Sequence, residues 1–508
     1  MDKNTKPTVN EVILKGTDGW LHFSNPDQII TVNDLDDVIL ALREIENMIS
    51  ANNCHAAGFL SYEAAPAFDE AHQTHQPDDF PLLWFGLYSA PRLISMPKPD
   101  STKPDLSWSP TTSHNTYNAA IDRIKNHIAE GQTYQVNYTM RLRSDFKYDP
   151  WNFFLQLAQT QNNYAAYVNT GRYVIASASP ELFFQLNGNT ITSRPMKGTV
   201  KRGRTRLEDK NQAQWLKESE KNRAENVMIV DMIRNDLGRI AKIGSVHVPE
   251  LFKTEKYPTL WQMTSTVQAE TNASLTEIFK ALFPCASITG APKVSTMRII
   301  SELESTPRKI YTGTIGYISP DRKATFNVAI RTALIDIETQ TAEYGAGGGI
   351  VWDSTSKDEY AEALLKANVL TKHTPQFSLL ETMLWTPREG FFLRKEHISR
   401  LLDSADYFDF SVSREQVEEY LDQLATQFTS PQRVRLLFAA NGEVSSEAKA
   451  FQVVEERPPL KVCLANAPVS SENVFLFHKT THRDVYISVR KDFSEYDDVL
   501  LCNENDEL

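Results

Sequence analysis

Ala224-Glu-Asn-Val-Met-Ile-Val-Asp-Met-Ile-Arg-Asn-Asp-Leu-Gly-Arg239 is the stretch from which the rest of the chain can be organised. Glu225, Ile229 and Met232 recur at i, i+4 and i+7, so one helical face carries a carboxylate together with apolar side chains. That carboxylate is expected to point inward, and a buried carboxylate needs a partner, either a nearby arginine or a hard cation. The helical pattern runs from Leu207 to Ile240, with Gly238 near its end and Arg239 and Lys242 close by.

A second acidic helix is expected over Lys357 to Leu370, where Glu359 and Glu362 share a face at i, i+3. Leu365, three positions on, sets the pair on a partly apolar side. Two inward-facing acidic helices predict a magnesium site at Glu225, Glu359 and Glu362. Mg²⁺ takes only one or two carboxylates and keeps positions for water and substrate oxygens. Two backbone devices read either as tight turns or as anion cradles. Ile288-Thr-Gly-Ala-Pro-Lys293 opens a helix with free N–H groups. Gly345-Ala-Gly-Gly-Gly349 lacks the strand-to-helix context of a dinucleotide motif, and its glycines let backbone approach a ligand. Lys197, in Ser193-Arg-Pro-Met-Lys-Gly-Thr199, would be disfavoured as a cation near magnesium and so could become a nucleophile. Glu181, if poorly solvated, could stay protonated and serve as an acid.

Outward from these motifs, a helix begins near Thr116, with Tyr117, Ala120, Ile121, Ile124 and Ile128 on one face. Alternating runs over 135–142, 164–169, 173–177 and 182–186 predict antiparallel strands. The fold class is therefore α+β, with large antiparallel sheets flanked by helices. The Pro/Ser/Thr-rich stretch from Asp100 to Asn115 separates an N-terminal lobe (1–110) from a core (111–373), and a new unit (377–508) starts after the break at Thr371-Lys-His-Thr-Pro-Gln376. Across 508 residues, 41% are apolar and 23% charged, a globular composition. A net charge of -12 without a dense basic block argues against nucleic acid. Nowhere do about 18 apolar residues run consecutively, and Met1 to Asn10 lacks a signal pattern, so no membrane and a cytoplasmic location are expected. Cys54, Cys285, Cys463 and Cys502 are far apart, which suggests neither a disulfide frame nor a zinc site.

The order of Ala224–Arg239, Ser287-Ile-Thr-Gly-Ala-Pro-Lys293, Ala329-Ile-Arg-Thr332 and Gly345-Ala-Gly-Gly-Gly-Ile-Val351 resembles the chorismate-utilising enzymes, on their aminodeoxychorismate synthase branch. The likeness is dense over 115–370 and thinner in the N-terminal lobe, at Gly58-Phe-Leu-Ser-Tyr-Glu63. Isochorismate and salicylate synthases use a lysine base where this chain has Gln135, and anthranilate synthases typically carry Ala where it has Lys197. The resemblance implies amination of chorismate to 4-amino-4-deoxychorismate, with the alternative of anthranilate synthase. It implies Lys197 as nucleophile, Glu181 as acid, and Mg²⁺ on Glu225, Glu359 and Glu362. Thr289, Tyr311, Arg331, Gly347, Gly348, Gly349 and Lys366 are implied to bind substrate. Asn222 and Gln262 depart from the acid and the histidine often found at these positions. Since no cysteine sits in a glutaminase-type turn, ammonia is expected from a separate glutamine amidotransferase subunit.

From Phe377-Ser-Leu-Leu-Glu-Thr-Met383 the chain resembles the class IV aminotransferases, the fold of aminodeoxychorismate lyase. The resemblance assigns Arg400 to the phosphate of pyridoxal phosphate and Lys479 to its aldehyde. The sequence stops at Asn505-Asp-Glu-Leu508, where the family continues into further cofactor-binding segments, so weak or absent lyase activity is expected. The other expectation for this unit is a non-catalytic docking or structural role.

Overall fold

The computed structural model describes residues 6–100, 106–160, 163–367, 370, 375–452 and 459–508. The chain divides into two compact units. One comprises 1–199, 217–257 and 262–374; the other comprises 200–216, 258–261 and 375–508. Two short pieces from the middle of the sequence thus belong with the C-terminal residues.

The elements that frame the chemistry are, in chain order, strands β1 (Gln135–Asp145) and β2 (Met196–Lys201), helices α1 (Arg206–Glu218) and α2 (Glu220–Gly238), strands β3 (Leu260–Glu270) and β4 (Thr341–Ile350), helix α3 (Ser356–Ala367), strand β5 (Leu379–Thr386) and helix α4 (Arg394–Phe408). Among the described residues the first unit is built on two ten-stranded sheets, and β1 and β4 are neighbours in one of them. Their antiparallel register sets Gly349 opposite Asn137 and Thr341 opposite Asp145. Strand β2 lies at the end of the other sheet, beside β3. The expected α+β class with large antiparallel sheets is what the chain adopts.

The single helix expected over Leu207 to Ile240 is two helices. Ser219 interrupts it in an extended conformation and caps α2 by accepting from the Asn222 N–H. The inward face of α2 carries Ile229, Val230, Ile233 and Leu237, with Glu225 half-buried at its rim. Helix α3 turns Ala363 and Ala367 inward, and Leu365 is 63% exposed, so the apolar side assigned to Glu359 and Glu362 from Leu365 is corrected. Beside these alanines, Tyr360 and Leu364 pack partly buried against the same core.

Beneath the chemistry lies a buried ionic knot. The Glu304 carboxylate receives Arg308 at 2.6 and 3.0 Å, the Thr139 hydroxyl at 2.7 Å and the Arg141 guanidinium at 3.4 Å. Arg308 also donates to the carbonyls of Asn137 (2.7 Å) and Ile288 (3.1 Å), tying β1 to the turn that precedes Lys293.

In the second unit, β5 belongs to a four-stranded sheet, and the core gathers Leu379, Met383, Ile398, Leu401, Leu421 and Leu436. The segment 201–209 is held firmly within this unit. Asp209 accepts from Arg202 Nε (2.6 Å), the Gly203 N–H (3.0 Å) and Trp261 Nε1 (2.9 Å). Arg202 donates to the Tyr407 carbonyl at 2.8 Å, and the Tyr407 hydroxyl donates back to the Gly203 carbonyl at 2.7 Å. No helix among the described residues is long and apolar enough to cross a membrane.

Candidate active site

Gly345 to Gly349, read from sequence as a turn or a cradle, lie in strand β4. Among the described residues only 341–344 pair with the strand Thr332–Asp336, so beyond Tyr344 one edge of β4 has no strand partner among them. Opposite Gly347 and Gly349, the N–H groups of Thr139 and Asn137 go instead to Glu304 and to the Thr289 carbonyl. The backbone polar groups of Gly347 and Gly349 therefore face the unpaired edge, where Lys366 Nζ donates to the Gly347 carbonyl at 2.9 Å. The missing side chains matter equally. A Cβ on Gly349 would lie 2.7 Å from both Lys197 Nζ and Gln135 Nε2, and one on Gly348 would lie 3.1 Å from Glu359 Oε2.

Lys197 is fixed through its backbone. Asn226, fully buried on α2, donates to the Lys197 carbonyl at 3.3 Å and accepts from Ser265 on β3 at 2.6 Å. Gln262 donates to the Gly198 carbonyl at 3.0 Å, and Gly198 takes φ +95°, which suits glycine. Burial pushes the Lys197 amine below its ordinary pKa; Glu225 opposes this and Lys366 adds to it. Glu181 is 3% exposed and accepts from the Ser287 hydroxyl at 2.6 Å. Burial raises its carboxyl to about 7, against that hydrogen bond and the charge of Lys197. Gln135 is wholly buried, and neither amide heteroatom has a protein partner. Both atoms are therefore available to hydrogen-bond a molecule in the site.

The carboxylates named as magnesium ligands are arranged unequally. Glu225 is half-buried on α2. Glu359 accepts from Ser354 Oγ at 2.6 Å, and burial raises its pKa. The Glu362 side chain is 55% exposed and pairs with Lys366 at 2.9 Å, which holds its carboxyl below the usual range. Among the described residues no three His, Cys, Asp or Glu side chains gather as a ready ligand set. Glu225 and Glu359 remain suitable in kind, since Mg²⁺ takes oxygen donors and needs only one or two from the protein.

The implied substrate residues are dispersed in role. Thr289 is fully buried and its hydroxyl donates to the Cys285 carbonyl at 2.8 Å. Tyr311 is buried with the Arg141 guanidinium 5.1 Å from its ring centre, and its ring fills the space a Gly345 side chain would occupy. Arg331 takes φ +51°, and burial lowers its pKa against the influence of Tyr344 and Tyr257. Ser287, Asn226 and Ser265 are the contributors that sequence did not single out. Ser287 stands in a quoted motif, but nothing there reveals that its hydroxyl meets a carboxylate 106 positions away.

In the second unit Arg400 donates through Nε (2.8 Å) and Nη2 (2.6 Å) to Glu381, which also meets His397 at 2.7 Å. Burial lowers the Lys479 pKa, Glu381 opposes, and Arg400, Arg483 and Arg433 push it down further. Arg400, which the resemblance assigns to a cofactor phosphate, thus directs Nε and Nη2 to the Glu381 carboxylate instead.

Residues 7–372 match the family of the chorismate binding enzyme. The chain belongs to that family. Residues 378–508 match the class IV amino-transferases. Similar proteins are aminodeoxychorismate synthase component 1 of Salmonella typhimurium, 41% identical over 52% of this chain and 58% of that protein, and of Bacillus subtilis, 41% identical over 49% and 54%. Anthranilate synthase component 1 of Aquifex aeolicus is 38% identical over 53% of this chain and 55% of that protein. The chain thus spans little more than half the length of these curated relatives. Among solved structures, anthranilate synthase component I from Streptococcus pneumoniae TIGR4 superposes with a TM-score of 0.61 at 24% identity, covering 73% of this chain and 94% of that one. It shows that the chorismate-binding fold is the same.

Proposed function

We propose that the first unit aminates chorismate to 4-amino-4-deoxychorismate, in the cytoplasm, with ammonia from a separate glutamine amidotransferase subunit. The observation that carries this reading is the Lys197 amine, depressed by burial and set beside a side-chain-free position of β4 next to the unpartnered Gln135 amide. An unprotonated lysine can attack ring carbon 2 while the two conjugated ring double bonds shift and the 4-hydroxyl departs. Glu181, buried and inclined to hold its proton near neutral pH, donates it to that leaving hydroxyl. Ammonia then adds at carbon 4, both double bonds return to their original places, and the carbon–nitrogen bond to Lys197 breaks, which restores the free amine. Magnesium held by Glu225 with Glu359 or Glu362 would supply positive charge for the ring carboxylate.

Incubation with chorismate, Mg²⁺ and ammonium should yield a product that keeps the enolpyruvyl group, read by mass. Release of pyruvate with formation of anthranilate would instead assign the chain to the reaction named for the Aquifex aeolicus relative. The lysine at 197, where anthranilate synthases typically carry Ala, favours the first outcome.

A second reading concerns the C-terminal unit, and the specific observation behind it is the segment 201–209 clasped to Tyr407 and His478. The unit serves as a structural holder of the stretch that immediately follows Lys197. Its Lys479→Ala variant should then aminate chorismate at the unaltered rate.

A further inference from the structure

Glu181 is approached by a short relay of side chains that the amination chemistry above leaves unexplained. Ser287 Oγ lies 2.6 Å from Glu181 Oε1, and Cys285 Sγ lies 3.3 Å from Ser287 Oγ. Cys285, Ser287 and Glu181 are all buried, with exposures of 6%, 4% and 3%. The single hydroxyl proton of Ser287 can serve only one partner, and once Glu181 has given up its proton the carboxylate is the stronger acceptor. The thiol must then be the donor in the second contact, so the direction of the relay is Cys285 to Ser287 to Glu181.

The backbone fixes this geometry from both ends. The Glu181 N–H donates to Ser179 Oγ at 3.2 Å, and the Ser179 hydroxyl donates to the Val328 carbonyl at 2.6 Å. Cys285 and Ser287 flank Ala286 in a single helical turn, where Ile288 accepts Arg308 on its carbonyl. Oε1 receives Ser287, and the Met196 N–H, next to Lys197, also donates to the carboxyl, so it is oriented both from the turn and from β2. The charged and titratable groups around Glu181 are Lys197 and the Cys285 thiol, which burial keeps in its neutral form.

The geometry points to Ser287, oriented by the Cys285 thiol, as the positioning residue that holds the Glu181 carboxyl toward the departing hydroxyl and stabilises the carboxylate left after proton donation. This rests on the proposed role of Glu181 as the acid. A hydrogen bond to the ionised form lowers a pKa, so without Ser287 the carboxyl holds its proton to higher pH and recovers its charge balance less readily.

The test is the pH profile of chorismate amination for the full chain with saturating ammonium and Mg²⁺. Ser287→Ala should lower kcat at least tenfold with little change in KM, and should move the alkaline limb upward by about one pH unit, the size expected from one hydrogen bond to a charged group. Ser287→Thr, which restores a hydroxyl, should return the limb to its original position. Cys285→Ser, which keeps a donor, should leave the limb in place, whereas Cys285→Ala should move it part of the way. Glu181→Gln separates the two levels of the argument. If it aminates normally, the acid role fails; if it is inactive while Ser287→Ala keeps both the wild-type limb and kcat, the positioning role alone is overturned.

Discussion

Alanine at position 349 and alanine at position 347 separate two uses of glycine in one strand. At Gly349 the atoms nearest an added methyl are the ends of the Lys197 and Gln135 side chains, both 2.7 Å away. At Gly347 it would meet the Tyr138 carbonyl at 2.2 Å, which is backbone. Gly349→Ala should therefore keep its urea midpoint yet lose at least tenfold in kcat/KM for chorismate. Gly347→Ala should cost about 2 kcal/mol or more of stability, read from urea unfolding. Equal effects of the two changes on stability would contradict this division. Lys197→Ala should slow amination by orders of magnitude without a change of midpoint, because its neighbours Asn226 and Gln262 hold the backbone carbonyls of 197 and 198 and not the amine. A near-normal rate would remove the nucleophile from the mechanism.

At the scale of elements, the Glu304 knot decides whether β1 and the turn before Lys293 stay in register. Burial alone would raise the Glu304 carboxyl, but Arg308 and then Arg141 outweigh it and hold it below the usual range. Its contribution is therefore present above the ordinary carboxylate pKa and is lost as pH falls through the lowered folded value. Glu304→Ala leaves two buried guanidiniums without their carboxylate and should cost about 3–5 kcal/mol at neutral pH. The loss should shrink on acidification below about pH 4, measured by urea unfolding across pH. The i, i+4 spacing of Glu304 and Arg308 was visible in the sequence, but not their depth, since an exposed pair has the same spacing. The same limit explains what could and could not be read elsewhere. The inward stripe of α2 was legible because four large apolar residues repeat at helical spacing. The inward side of α3 was not, because Leu364 and Leu365 are adjacent and equally apolar, and only tertiary packing turns Leu364, with Tyr360, Ala363 and Ala367, to the core while Leu365 faces solvent. The glycines of β4 carried a signal of close approach but none of conformation, as a residue without a Cβ fits turn and strand alike. Which groups approach them, Lys197, Gln135 and Glu359, is set by tertiary register that no local pattern encodes.

For the whole molecule, the way the second unit is assembled from separated pieces has a measurable consequence. Arg202, Arg204 and Arg206 follow within nine positions of Lys197, and each is engaged by C-terminal residues. Arg202 donates to the Tyr407 carbonyl, the Arg204 carbonyl faces His478 Nε2 at 3.0 Å, and Arg206 pairs with Asp403 at 2.8 Å and Asp406 at 2.5 Å. The Arg206 pairs are open to solvent and contribute little, so the buried contacts of Arg202 and Asp209, each with a side chain 6% exposed, dominate. A chain ending at residue 374 lacks every one of these C-terminal partners, and trypsin should cut it at 202–206 at least tenfold faster than the full chain. Asp209→Ala in the full chain removes the carboxylate shared by Arg202, Gly203 and Trp261 and should reproduce part of that sensitivity. Arg206→Ala should not, beyond the loss of its own cleavage site. Identical digestion of the full and shortened chains would mean that the first unit's own fold, and not the C-terminal residues, holds this segment.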